Sequence, residues 1–190
     1  MAGGELLTLE ETLREMKDTS ELMVDLAYSA LLYSNEEIAR HVLELEDRID
    51  AWDQAVQQEA VERAIEDGDV QKALVFIRIA SSIEDIADGA LQIADVVLRD
   101  IEPHPIIAEA LKESDTSIST VTVPAGSPAS GRTLGELKVA SETGAWVLAI
   151  RREGSWIYGP DEDTRLLEGD LLVVRGPIEG EPELHRLLAP

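Results

Sequence analysis

Asn35-Glu-Glu-Ile-Ala-Arg-His-Val-Leu-Glu-Leu-Glu-Asp-Arg-Ile-Asp-Ala-Trp-Asp-Gln-Ala-Val56 is the stretch that decides the fold. Its apolar residues Ile38, Val42, Leu45, Ile49, Trp52 and Val56 step by 4, 3, 4, 3 and 4. That is the spacing of a helix that lays one stripe against other helices. Ser34-Asn35-Glu36-Glu37 opens the segment with a turn, an N-cap and acids for the first helical turn. Asp67-Gly68-Asp69 closes it: Gly68 is a helix stop and Asp69 the next N-cap. Upstream, Leu9 to Tyr33 carries Leu22, Met23, Leu26, Ala30 and Tyr33 at three- and four-residue steps. Downstream, Val70 to about Arg99 offers Leu74, Ile77, Ile83, Ile86, Ile93 and Val97 as core candidates. Pro103 and Pro105 end that segment, and a short helix over Ile106–Lys112 is expected to follow. Helices of about 30 residues are about 45 Å long. Joined by tight turns, these three form an antiparallel bundle.

Composition changes sharply after this region. All 8 prolines stand from Pro103 onward, and before residue 102 only Gly3, Gly4, Gly68 and Gly89 interrupt the chain. The boundary read from this shift gives an all-α antiparallel three-helix bundle over 1–112, a linker over 113–119 and an α+β domain over 120–190. Charge is divided unevenly as well. The 190 residues hold 39 acids and 16 bases, a net −23. Residues 1–115 hold 28 of the acids against 9 bases, so most of the excess belongs to the bundle. Such a chain is repelled by nucleic acid backbones and by anionic lipid. With no cysteine there is no disulfide framework, thiolate metal site or thiol nucleophile. Met1-Ala-Gly-Gly-Glu5 lacks the order of a signal peptide, and no apolar run approaches a membrane span. A cytoplasmic protein without membrane insertion is the expectation.

Six acid pairs in the first part are spaced four apart, no more than chance supplies. Only three of them are Glu-x-x-x-Asp, and each lies on a different long helix: Glu21/Asp25, Glu46/Asp50 and Glu84/Asp88. Folding the bundle about Ser34 and Gly68 brings the three pairs to heights that agree within about 3 to 4.5 Å. On one face they would make a carboxylate patch suited to hard or borderline cations, with Asp53 able to join. On separate faces they are ordinary solvated acids.

Leu43-Glu-Leu-Glu-Asp-Arg-Ile-Asp50 and Ile83-Glu-Asp-Ile-Ala-Asp88 resemble the paired Glu-x-x-x-Asp motifs of PhoU-type helical domains. The resemblance covers roughly Leu9–Leu111, one three-helix repeat where a full PhoU protein has two. It implies divalent metal or iron held by Glu46, Asp50, Glu84 and Asp88, and a dimer that restores the second repeat.

The C-terminal part alternates short strands with turns. Ile118–Val123 reads as a strand. Thr133-Leu-Gly-Glu136 is a capping box that starts a short helix through Val139. Ala145–Ile150 is a buried strand, and Arg151-Arg-Glu-Gly154 a hairpin turn into Ser155–Tyr158. Leu171–Arg175 is a further strand, and a helix spans about Pro182–Leu188. Trp146 and Trp156 read as packing residues. The stretches Gly131-Arg-Thr-Leu-Gly-Glu-Leu137, Gly144-Ala-Trp-Val-Leu-Ala-Ile-Arg-Arg152, Gly159-Pro160 and Glu168-Gly-Asp-Leu-Leu-Val-Val174 are similar to the RCK C-terminal domain, TrkA-C. The resemblance implies dimerisation and a small regulatory ligand at the dimer interface, a cyclic dinucleotide in some members. Its pocket would comprise Leu137, Val139, Ala140, Gly144, Ala145 and Pro160, with Arg151 and Arg152 meeting an anion. Read as residues alone, Leu137, Val139 and Ala145 serve equally as core, and the arginines as a hairpin end.

Catalytic patterns are missing from the sequence: His41, His104 and His185 are scattered, and no nucleophile elbow, phosphate loop or Gly-x-Gly-x-x-Gly occurs. The two resemblances together imply a non-enzymatic regulatory subunit of potassium or other cation transport, partnered with a membrane channel or transporter. The alternative is a metal-binding signalling protein of the PhoU kind in phosphate or metal homeostasis. A dimeric scaffold with both sites vestigial is the third reading.

Overall fold

A computed structural model describes residues 8–101 and 116–190, which form two compact units. The first unit is three long helices, α1 (Leu9–Tyr33), α2 (Glu36–Asp67) and α3 (Val70–Leu98), each packed on the other two. Their ends are set locally. Thr8 and Glu11 form a capping box at the start of α1. Asn35 accepts the amide of Ile38 at 3.1 Å at the start of α2. Gly68 takes φ 78° where α2 stops, and Asp69 accepts the amide of Lys72 at 3.0 Å. The expected helix over Ile106–Lys112 and His104 lie outside the described residues.

Packing follows the quoted seam on α2. Ile38, Val42, Leu45, Ile49 and Val56 are buried, while Trp52 is half-buried with the Arg48 guanidinium 4.9 Å from its ring centre. On α1, Met23, Leu26 and Ala30 are buried and Tyr33 is exposed. On α3 only Ile83 of the expected core residues is buried. The buried positions are Ala73, Ala80, Ala87 and Ala94, seven apart, with Ala90 and Ile83. Leu74 and Ile86 are exposed, and Ile77, Ile93 and Val97 only half-buried. Small side chains let a helix come close to two neighbours along one line, and Ile83 is the one branched chain among these buried residues.

The second unit is a four-stranded antiparallel sheet in the order β1-β4-β2-β3, with β1 at Thr116–Thr122, β2 at Trp146–Arg152, β3 at Ser155–Tyr158 and β4 at Leu171–Pro177. β1 takes in residues 116–119, which read as linker in the sequence; Thr116 already pairs with Pro177. A bulge between Val147 and Ala149 bends β2 against β4. β2 and β3 join through Glu153 and Gly154 at φ 50° and 85°, the positive angles a two-residue hairpin needs. The capping box opens α4 (Leu134–Leu137); Lys138, at φ 53°, then breaks the chain direction before α5 (Val139–Thr143). A 3-10 turn over Ile178–Gly180 leads to α6 (Glu181–Leu188). The core joins Val121, Leu134, Leu137, Val139, Ile150, Leu166, Leu172, Val174, Leu184 and Leu188.

Candidate functional site

Two places gather functional groups, one in each unit. The first is a cavity of about 280 Å³ in the sheet unit. One wall is the α4–α5 elbow, with Leu134, Gly135, Lys138, Val139, Ala140 and Ser141. The start of β2 gives Ala145, Trp146 and Val147, and the loop after β3 gives Pro160, Asp161 and Glu162. The two walls are tied together. Gly135 donates its amide to the Glu162 carbonyl at 2.8 Å, and Leu134 donates to Thr164 at 3.0 Å. A side chain at position 135 would crowd that contact, since a β-carbon would lie 3.0 Å from the Glu162 carbonyl oxygen. The floor is apolar (Leu134, Val139, Ala145), while Lys138 and the Asp161/Glu162 pair stand exposed at the edge. Trp146 lies there with 66% of its surface free.

The structure distributes the expected ligand residues unevenly. Val139, Ala140, Ala145 and Pro160 line the cavity. Leu137 is buried in the core. Gly144 closes α5 at φ 69° against the Pro177 ring. Arg151 lies on the hairpin, its guanidinium 5.9 Å from the Trp156 ring centre. Arg152 is committed inside the fold. Its Nε and Nη2 donate to the two carboxylate oxygens of buried Asp170 at 2.8 and 2.7 Å, and Nη2 donates also to the Arg165 carbonyl at 2.7 Å. That pairing holds the guanidinium above its usual pKa. The cation at the cavity is therefore Lys138, which the sequence hid at an elbow that no helix signal marks. Trp146, read from the sequence as a packing residue, is an exposed ring, because β2 buries only its central residues. Trp156 does pack, stacked on Tyr158 with ring centres 5.7 Å apart.

The second place is the acidic cluster shared by α2 and α3. Burial raises the carboxyl pKa of Glu46, and Asp50, Asp47, Asp88 and Glu84 raise it further by repulsion. Burial likewise raises that of Glu84, followed by Asp88, Asp85, Asp50 and Asp53. The α2 and α3 motifs thus share one electrostatic environment. The α1 pair is placed otherwise, since Glu21 accepts Lys17 Nζ at 3.0 Å. Asp53 receives Gln57 Nε2 on one oxygen at 2.5 Å, and its buried Oδ1 has no partner. Even so, among the described residues no three His, Asp or Glu side chains converge to hold a metal ion. Glu46, Asp50, Glu84 and Asp88 lie close enough to repel one another.

A carboxyl whose pKa is higher folded than unfolded opposes folding when ionised. The opposition is complete above the folded pKa and fades as pH falls through it. Glu46→Gln and Glu84→Gln should therefore each raise the melting temperature of the bundle near about pH 8. The gain should shrink as pH is lowered into the carboxylate range. Thermal melts by circular dichroism at both ends of that range check it.

Among the described residues no helix is long and apolar enough to cross a membrane. Comparison with known proteins accords with the two-unit division. Residues 13–97 match the PhoU domain family and residues 118–189 the TrkA-C domain family. Both families are regulatory, not catalytic. No curated protein matches the chain. Among solved structures, the RCK_C domain dimer of S. agalactiae BusR in complex with c-di-AMP is 25% identical, covering 40% of this chain and 93% of that one, with a TM-score of 0.37. S. agalactiae BusR in complex with its busAB-promotor DNA is 21% identical over 62% of this chain and 63% of that one, TM-score 0.37. The GsuK channel is 15% identical over 72% of this chain and 26% of that one, TM-score 0.37. The chain joins a PhoU domain to a TrkA-C domain.

Proposed function

We propose that the chain is a non-enzymatic, cytoplasmic regulatory subunit of potassium or other cation transport, and that its TrkA-C domain senses a small ligand. The observation that carries this reading is the cavity beside Lys138, Ala140, Trp146 and Pro160. Its apolar floor and exposed indole suit a flat base, and Lys138 is the edge cation that would meet a phosphate, against the repulsion of Asp161 and Glu162. At about 280 Å³ it falls just below the usual range of about 300–1,000 Å³ for small-molecule sites. Two such cavities brought together in a homodimer would accommodate a cyclic dinucleotide, one base to each. A ligand that binds one dimer conformation better shifts the population toward it, and a transporter docked on that conformation reads the shift.

The test is thermal stability and Trp fluorescence of the full chain titrated with cyclic di-AMP, NAD and AMP. Cyclic di-AMP should raise the melting temperature by several degrees, as mass action requires at saturating ligand. Ala140→Trp, which fills the cavity from a half-buried position, should abolish the rise. If no nucleotide shifts the wild-type chain, the sensing role is wrong.

The second reading, metal-dependent signalling in phosphate or metal homeostasis, is favoured by the repulsion that Asp88 and Glu84 exert on Glu46 and that Asp50 and Asp53 exert on Glu84, and by the orphaned oxygen of Asp53. A divalent metal or iron would have to draw these carboxylates together. Metal analysis of the purified chain decides it. Retained metal that is lost in the Glu46→Ala/Glu84→Ala variant supports it, and metal-free wild-type protein removes it.

A further inference from the structure

The outer side of α3 carries a second seam. Val75, Ile79, Ser82, Ile86, Gly89 and Ile93 step by 4, 3, 4, 3 and 4, the spacing of a helix that meets another helix. Val75, Ile79 and Ile86 are 56%, 45% and 51% exposed, Ser82 and Gly89 are exposed, and Ile93 is half-buried. In a chain of net charge −23, none of the six positions is ionisable. Ser82 presents no unmet hydroxyl, because its Oγ donates to the Arg78 carbonyl at 2.8 Å. Gly89 sits inside a helix, where glycine is destabilising relative to alanine. Among the described residues a β-carbon there would meet nothing within 4 Å, so none of them requires the glycine.

We propose that this seam pairs with the same seam of a second copy, antiparallel and two-fold symmetric about a point beside position 84. That register sets Val75 against Ile93 of the copy, Ile79 against Gly89, and Ser82 against Ile86. Each large side chain in the middle of the seam then meets a small one, and the match follows from one sequence read in both directions. A two-fold interface must be self-complementary in this way. The seam is about 27 Å long. It exposes on the order of 400 Å² of surface per copy, about half of the roughly 800 Å² of a standard interface. The pairing is therefore weak, in the micromolar range, and is reinforced wherever another contact already holds two chains together. Asp85 flanks the seam at the dyad and faces its own copy, which weakens the pair at low salt.

The cysteine-free chain allows a direct test on the full protein. Spin labels are placed on single-cysteine variants Asp85→Cys and Lys72→Cys, and distances are measured at about 100 μM, in excess of the expected dissociation constant. The antiparallel register brings the labels at 85 to within about 20 Å of each other, while the positions at 72 lie about 36 Å apart along the axis. Ile79→Glu with Ile86→Glu should remove the short distance at position 85 and leave the helical circular dichroism unchanged. Gly89→Ala should raise the melting temperature at low concentration yet weaken self-association about tenfold, two effects that separate only if the glycine serves an outside contact. No short distance at 85 in the wild-type background overturns the proposal, whether the seam is then bare or covered by a different protein. A short distance that survives the double glutamate variant, or a Gly89→Ala chain that associates more tightly, overturns it as well. Dimerisation through the TrkA-C domain alone would leave the distance at 85 indifferent to all three substitutions.

Discussion

Arg152→Ala is expected to cost the sheet unit about 3 kcal/mol of stability. The cost arises mainly from what the substitution leaves behind. Asp170 is 1% exposed, and its two oxygens accept three hydrogen bonds, two from Arg152 and one from the Leu167 amide at 2.7 Å. Without the guanidinium, a buried carboxylate keeps a single donor and must either protonate or draw in water. The Arg165 carbonyl also loses its donor. Urea unfolding followed by the fluorescence of Trp146 and Trp156 measures the loss. Arg152→Met combined with Asp170→Leu should lose far less, because a buried pair replaced as a whole leaves no orphaned charge. If the single and double variants lose equally, the pair is not the reason Arg152 is there. Its side chain is then free for an anionic ligand, as the sequence alone suggests.

Ile49→Ala should destabilise the bundle by about 3 kcal/mol, and Ile86→Ala by less than about 0.5 kcal/mol when the chain is dilute. Both isoleucines stand in 3-4 patterns and look alike in the sequence. Ile49 is 0% exposed, so its loss opens a cavity among three helices that cannot collapse around it. Ile86 is half in water already. For a unit of about 100 residues the first loss amounts to a fall in melting temperature of about 12–24 °C, and the second to one of a few degrees at most. Equal losses would mean that Ile86 is as deeply packed as Ile49, and that the outer seam of α3 belongs to the core.

These two residues show where the sequence was readable. Helix ends were, because caps act through neighbours in the chain: Asn35, Gly68 and Asp69 need no tertiary information to do their work. The seam on α2 was, because a helix with one large apolar stripe has only one face to bury. On α3 the signal found Ile83 and otherwise pointed to exposed or half-buried residues. It carries two apolar stripes, and the one with the larger side chains is the outer one. Hydropathy ranks isoleucine above alanine, but the inner line is decided by available volume. In the sheet unit the apolar cavity wall was legible through Val139, Ala140, Ala145 and Pro160. Its charge was not. Two adjacent arginines drew the eye, yet strand alternation sends Arg151 outward and Arg152 inward to Asp170, while the lysine at the cavity depends on a left-handed elbow. The carboxylate motifs were legible as neighbours across α2 and α3, as Glu46 and Glu84 feel each other's groups. Whether three oxygens meet depends on rotamers, to which sequence spacing is blind.

The hairpin between β2 and β3 has one more consequence. Arg152 is paired with Ser155, so Glu153 and Gly154 are the whole connection, and there is no slack in it. The turn acts as a ruler. One residue inserted there would slide β3 along β2 or turn Arg152 to the opposite face, and the guanidinium would swing away from Asp170. Between Gly159 and Asp170 the chain is pinned at Glu162, Thr164 and Leu166, and an added residue could bulge into solvent between those ties. Length is thus tolerated on one side of β3 and forbidden on the other, and this fold keeps its measure at a turn only two residues long.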